Sequence, residues 1–287
     1  PRVSGPDGER RMSELAHETV GTEGPSGEPT LYILHGFLGS GRNWTSFARR
    51  LVEWRTDWRI VLVDLRLHGA SQSFDGPHTV EAAAADLVDL ASVLSPEGPM
   101  ALLGHSFGGK VALGAIRSLA PTPVQTWIID STPAAGGEGS GADRLLARLE
   151  ASPSSFADRD EAIAWITEGG FDDATARWVA TNLERRGEGW TWRLDVDALR
   201  ELLTDFATTE LWKVAESVPP DASIHFVRAT RGSLLAPDDA ERIQRLAARG
   251  EPVALHELEG GHWLHTDNPD GLLELVADRL PRLPASG

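Results

Sequence analysis

The chain has 287 residues, 41% of them hydrophobic, and a formal net charge of −16 at pH 7, which suits one large domain or a domain with an insertion. Cysteine is absent, and this excludes disulfides, thiolate nucleophiles and zinc–cysteine sites. The acidic excess argues against nucleic acid and anionic membranes as partners. No apolar run reaches the roughly 18 to 20 residues of a membrane span. We expect a cytoplasmic protein.

In chain order, the first half of the sequence alternates short apolar runs with helical patterns. The apolar runs predict strands at 15–23, 30–34, 59–65, 100–105 and 124–130, and the helical patterns predict helices at 43–53, 80–94 and 109–119. Short apolar strands that alternate with helices are typical of a parallel sheet covered on both faces. We therefore expect an α/β fold with a mostly parallel central sheet flanked by helices.

The alternation breaks after the strand at 124–130 and resumes near the C-terminus. A Gly/Pro/Ser-rich linker at 132–143 precedes predicted helices at 143–150, 158–168, 172–185 and 195–206, with no clear strand among them. A strand at 223–229, a helix at 238–249, a strand at 252–258 and a last helix at 269–282 follow. The sequence thus predicts an N-terminal tail and edge strand at 1–27, a core at 28–132 and 214–287, and a helical cap at 133–213.

The segment from Gly104 to Gly108 reads Gly-x-Ser-x-Gly between a predicted strand and a predicted helix. A nucleophile elbow of a serine hydrolase has this context, with the serine at a turn so tight that small neighbours are required. Such a turn exposes the hydroxyl of Ser106 and aims the next amide, that of Phe107, at a developing oxyanion. The alternative interpretation is a glycine-rich turn without chemistry.

Four segments that are distant in sequence all follow predicted strands. They are the run from His35 to Phe37, the elbow at Ser106, the turn at Asp130 and the turn from Gly260 to His262. Ligands of open α/β sheets bind beyond the carboxyl ends of the strands. This convergence predicts one site that contains all four segments.

These motifs resemble those of the α/β-hydrolase superfamily over about residues 28–283. The matching features are His35-Gly36-Phe37, the elbow, the insertion after the sixth strand, the loop from Asp64 to Ser71, and Gly260-Gly261-His262-Trp263. Within the superfamily the chain is similar to compact bacterial carboxylesterases. The resemblance implies a serine carboxylesterase for small to medium acyl esters, with a small-molecule ester as substrate. A thioesterase, a lactonase, another serine α/β-hydrolase and a non-catalytic ligand-binding relative are the alternatives.

A serine hydroxyl needs a base within hydrogen-bond reach to act as a nucleophile. His262 is the predicted base, because it lies in a Gly-Gly turn after the last strand. His265 is the alternative base, and a surface histidine without a role is the other interpretation of His262. No histidine spacing typical of a metal site is present, and we expect neither a metal nor a cofactor.

The position of the triad acid departs from the commoner family pattern. Many family members carry it just after the strand equivalent to 223–229, where this chain has Thr-Arg-Gly-Ser-Leu-Leu without a carboxylate. The similar esterases place their acid in an Ile-Asp-x-x-Pro turn, which corresponds to Asp130. Neighbouring parallel strands lie roughly 4.8 Å apart, so Asp130 is expected beside Ser106. Asp238 and Asp239 are the alternatives.

The oxyanion of the reaction requires two hydrogen-bond donors. The elbow predicts the Phe107 amide as one donor, and the resemblance implies the Phe37 amide as the second, after His35-Gly36. Side chains beside these segments are the expected lining of the substrate pocket. They are Leu38, Trp44, His105 and Trp263.

Overall fold

The computed structural model describes residues 14–21, 28–136 and 141–282. Most of the predicted N-terminal tail and part of the predicted linker at 132–143 lie outside the described residues. The central sheet contains β1 (His17–Val20), β2 (Thr30–Leu34), β3 (Arg59–Val63), β4 (Met100–His105), β5 (Gln125–Ile129), β8 (Ser223–Ala229) and β9 (Val253–Leu258). A separate hairpin contains β6 (Leu183–Arg186) and β7 (Gly189–Trp192).

The seven strands of the central sheet follow the order β1-β3-β2-β4-β5-β8-β9. β1 pairs with β3 in antiparallel orientation at one edge, and all other neighbours are parallel. The registers set Leu34 opposite Gly104 and His105 opposite Ile129, so the strand ends that precede the predicted site segments are level. This mostly parallel sheet confirms the predicted fold class.

Helices cover both faces of the sheet. The helices of the described residues are α1 (Thr45–Trp54), α2 (Val80–Leu94), α3 (Phe107–Ala115), α4 (Gly141–Glu150), α5 (Arg159–Glu168), α6 (Asp173–Val179), α7 (Val196–Thr208), α8 (Trp212–Ala215), α9 (Pro237–Ala248), α10 (Leu264–Asp267) and α11 (Pro269–Arg279). Alternate residues of β2 enter two separate cores, Tyr32 and Leu34 with α2 and α3, and Leu31 and Ile33 with α1 and α11. Strand geometry requires this alternation.

The segment between β5 and β8 contains α4 to α8, together with the β6–β7 hairpin. The predicted helix at 172–185 is wrong from Leu183 on, because α6 ends at Val179, a 3-10 turn follows over Ala180–Asn182 and β6 begins at Leu183. Gly187 adopts a φ of 61° in the turn between β6 and β7, a conformation that glycine allows without strain. Trp190 then pairs with Phe156, which fixes the hairpin against the neighbouring helices.

We find no helix within 14–21, 28–136 or 141–282 that combines the length and the apolar character needed to cross a membrane.

Candidate active site

The turn between β4 and α3 holds Ser106 in a strained conformation. Its φ is 53°, in the left-handed region that serine rarely adopts. The two glycines of the motif are required by close contacts, since a Cβ atom on Gly104 would lie 2.1 Å from the Gly108 oxygen and one on Gly108 would lie 2.5 Å from the Leu34 oxygen. The Ser106 amide donates to the Ile129 carbonyl at 3.0 Å, which fastens the turn to β5.

Asp130 and His262 form a hydrogen bond at the carboxyl end of β5. His262 Nδ1 donates to Asp130 Oδ2 at 2.7 Å. The carboxylate is fully buried, whereas the His262 side chain is 31% exposed. Three further donors hold the carboxylate, namely the amides of Ala229 and Leu234 at 3.0 and 3.3 Å and the Ser233 hydroxyl. This set of donors fixes the orientation of the carboxylate and through it that of the imidazole.

Two opposing effects act on the pKa of Asp130. Burial raises it, whereas hydrogen bonds from His262, Ser233 and Ala229 stabilise the ionised form and lower it. The hydrogen bonds outweigh burial, and the pKa lies below its ordinary value of 3.8. Asp130 is therefore ionised at neutral pH. In this form the carboxylate accepts the hydrogen bond that an imidazole N–H donates.

His105, the residue before Ser106, fixes the loop that carries His262. Its Nε2 donates to the His262 carbonyl at 2.8 Å, and the two rings lie 4.7 Å apart. Burial, with smaller contributions from His262 and His265, lowers the pKa of His105 well below 6.5. The ring is consequently neutral and has one N–H, which the bond to the carbonyl uses.

The loop after β2 lies beside the start of α3. His35 Nδ1 donates to the Gly36 carbonyl at 2.8 Å, and His35 Nε2 accepts from the Leu65 amide at 3.0 Å. The aromatic rings of Phe37 and Phe107 lie 6.4 Å apart. Within the described part of the chain, neither phenylalanine amide donates a loop or turn hydrogen bond, and the amide of Phe107, the first residue of α3, has no acceptor within its helix.

A cavity of about 650 Å³ opens above the ends of the strands. Ser106, His262, Phe37 and Phe107 line it, and so do the four predicted pocket residues, Leu38, Trp44, His105 and Trp263. The segment between β5 and β8 forms a largely apolar wall of the cavity. The helices α4, α6 and α7 and the α5–α6 connection supply the large side chains of this wall, which are Leu145, Phe171, Trp178, Leu203 and Phe206. The predicted site segments are thus brought together at one cavity.

The alternative base His265 and the alternative acid Asp239 lie elsewhere on the wall, whereas the alternative acid Asp238 lies outside it. The His265 ring stacks on Trp44 with centroids 4.4 Å apart. Asp239 accepts a hydrogen bond from the Thr132 hydroxyl at 2.7 Å, and Asp238 is exposed on the first turn of α9. The hydrogen-bonded pair in the structure is therefore His262 and Asp130.

Two residues of the site were not predicted. Ser233, which donates to Asp130, lies in the loop after β8, where many family members carry the triad acid. A hydroxyl residue in that loop is the sequence signal for this contact. Lys110, four residues after Ser106, donates to the carbonyls of Phe206 and Thr209 at 2.6 and 2.9 Å. A lone lysine within an apolar helix face is the corresponding signal.

The sequence model of the alpha/beta hydrolase family matches residues 31–275. The chain belongs to this family. The predicted superfamily is thereby confirmed.

Among relatives of this hydrolase is the mouse sn-1-specific diacylglycerol lipase ABHD11, which is 27% identical over 269 residues, 90% of this chain and 83% of the relative. Lipase LipV of Mycobacterium tuberculosis is 27% identical over 267 residues, 90% of this chain and 95% of the relative. The solved structure of a marine microorganism esterase is similar, with a TM-score of 0.79 and 23% identity over 93% of this chain and 99% of the other. That structure supports the fold.

Proposed function

We propose that this hydrolase is a serine carboxylesterase for small to medium acyl esters, with Ser106, His262 and Asp130 as its catalytic triad. The observation that carries the proposal is the 2.7 Å hydrogen bond from His262 Nδ1 to Asp130, beside a cavity that Ser106 lines. Because Nδ1 holds the proton, the other ring nitrogen is free to accept one from the serine.

In the first half of the reaction, Ser106 Oγ attacks the ester carbonyl and His262 takes the hydroxyl proton. The buried Asp130 carboxylate stabilises the imidazolium. The amides of Phe37 and Phe107 donate to the oxyanion. His262 then delivers the proton to the leaving alcohol, which leaves the acyl group on Ser106.

In the second half, His262 takes a proton from a water molecule, which attacks the acyl-enzyme. Collapse of the second tetrahedral intermediate releases the acid and returns the proton to Ser106. The relatives named as lipases support an ester substrate. A cavity of about 650 Å³ supports small or medium acyl groups. The described helices between β5 and β8 that line the cavity act as the cap that covers these acyl groups.

The test is a panel of p-nitrophenyl esters from acetate to palmitate with the wild type and two serine variants. Ser106→Ala removes the nucleophile, and we expect kcat to fall on the order of 10³-fold or more. Ser131→Ala is the matched control, because this serine is buried nearby and its hydroxyl has no hydrogen-bond partner among the described residues. We expect it to retain wild-type turnover.

Full activity in Ser106→Ala would contradict the proposed nucleophile. No turnover of any ester by the wild type, with ligand binding retained, would instead favour a non-catalytic relative. The same panel made with acyl thioesters distinguishes a thioesterase by a higher kcat/KM.

A further inference from the structure

The wall of the cavity carries a single carboxylate and no lysine or arginine among the described residues. That carboxylate belongs to Asp239, and apart from histidines the remaining lining residues are uncharged. A substrate in this cavity therefore meets apolar side chains, neutral hydroxyls and one negative charge.

Asp239 is held at the cavity by its neighbour Thr132. The Thr132 hydroxyl donates to Asp239 Oδ2 at 2.7 Å, and both residues line the cavity. Asp239 lies in the first turn of α9, where the partial positive charge of the helix terminus favours an anion. Asp238 and Asp239 already occupy that turn, so the terminus offers little further attraction to a second anion.

Three of the four histidines of the wall, His35, His105 and His265, do not supply a compensating cation at neutral pH. Burial lowers the pKa of His35 and of His265 to about 4. Burial also lowers the pKa of His105 well below 6.5. Because these three rings are neutral at pH 7, an anionic substrate gains no ion pair from them.

The nearest lysine, Lys110, lies behind the wall. It is fully buried, and its ammonium is held by the carbonyls of Phe206 and Thr209. Two carboxylates, Asp205 and Asp239, interact electrostatically with this one ammonium. The negative charge of the wall is therefore only partly balanced.

We infer, on the basis of the proposed esterase activity, that this hydrolase selects esters without a negative charge, and that Asp239 is the residue that determines this selectivity. An anionic acyl group would lose its hydration in the cavity without gaining a cationic partner. It would also be repelled by the Asp239 carboxylate at low dielectric. Neutral acyl groups incur neither cost.

The test compares mono-p-nitrophenyl adipate, which is anionic, with its neutral methyl ester at pH 7. The two share one leaving group and one acyl chain and differ in the terminal charge. We expect the wild type to show a kcat/KM at least ~30-fold higher for the neutral ester. In Asp239→Asn, whose side-chain oxygen still accepts from Thr132, we expect this ratio to fall about 5- to 10-fold.

Asp238→Asn is the matched control, because it removes the same formal charge from the same helical turn on an exposed side chain outside the cavity wall. We expect it to leave the ratio unchanged. Equal hydrolysis of both esters by the wild type, or equal ratios in the two variants, would overturn the inference. Loss of turnover of both esters in Asp239→Asn would also overturn it, since Asp239 would then belong to the hydrolytic machinery. Failure of the wild type with both adipates and with the whole p-nitrophenyl panel would contradict the proposed function itself.

Discussion

At the scale of single residues, Asp130 combines a left-handed backbone with a fully buried carboxylate. Its φ is 45° and its exposure is 0%. Aspartate and asparagine tolerate this region of backbone conformation better than other residues with a side chain. A change to asparagine therefore keeps the turn and removes the charge that faces His262.

We predict that Asp130→Asn lowers kcat for p-nitrophenyl esters by roughly 10³- to 10⁴-fold. The amide no longer stabilises the imidazolium, and its NH₂ group favours the wrong tautomer of His262. Asp238→Asn, a change at an exposed position, is expected to remain within about twofold of wild type. Steady-state kinetics of the three proteins provide the check, and a larger loss in Asp238→Asn would refute the assignment of the acid.

Part of the candidate site could be predicted from sequence because its residues lie where predicted strands end. Asp130 and His262 follow β5 and β9, and a parallel sheet brings such ends to one edge. Ser233 and Lys110 could not be predicted in this way, because their roles depend on which segment the tertiary fold brings against them. Ser233 contacts Asp130 across 103 positions of sequence, and Lys110 contacts Phe206 across 96.

At the scale of elements, α7 is attached to the core at three points. At the C-terminal end of α7, Lys110 donates hydrogen bonds to the Phe206 and Thr209 carbonyls. A cation at this end also complements the dipole of α7. Asp205 accepts from the amide of Val80 at 2.7 Å, the first residue of α2. Glu201 accepts from the His78 amide at 3.0 Å. These contacts hold the Phe206 ring 6.2 Å from the Phe107 ring.

We predict that Lys110→Met lowers kcat/KM for p-nitrophenyl butyrate about 10-fold, because Phe206 loses its fixed position beside Phe107. Amide hydrogen exchange in the C-terminal half of α7 should accelerate in the same variant. Lys213→Met is the matched control, since Lys213 is the other lysine of the chain and is exposed. Unchanged exchange in Lys110→Met would show that the lysine does not hold the helix.

The elements of the core could be predicted more completely than those between β5 and β8. Short, mainly apolar runs such as 30–34 and 100–105 predict buried strands through their length and the proline that precedes each of them. The β6–β7 hairpin was missed because its strands have four residues each and carry arginines as well as tryptophans. The Gly187 turn was its one local signal.

At the scale of the whole molecule, several buried or half-buried histidines are neutral at pH 7 in the folded state. Burial lowers the pKa of His35, His225 and His265 to about 4. Burial, assisted by His35, lowers the pKa of His68 to about 3. In the unfolded chain these groups return to ordinary values near 6.5.

We predict that the free energy of unfolding falls as pH decreases from 6.5 to about 4. In this window the unfolded chain binds more protons than the folded chain, so each such histidine contributes up to about 1.4 kcal/mol per pH unit to the slope. The contribution is fully present above pH 6.5. Urea denaturation at pH 7.5, 6 and 5 measures the slope, and His68→Asn should reduce it whatever its stability at pH 7.5. A denaturation midpoint that is constant from pH 7.5 to 5 would contradict the prediction.

The pairing of β5 with β8 has a consequence for the order of folding. β2, β3, β4 and β5 are close in sequence, whereas β8 joins β5 only after a long loop closes. Asp130 directly follows β5. Its hydrogen-bond donors Ala229, Ser233 and His262, however, lie in β8 or later in the chain. Until then a buried charge would lack partners. We therefore expect the carboxylate of Asp130, the proposed catalytic acid, to lose its hydration only when β8 and the segments that follow it have joined the sheet.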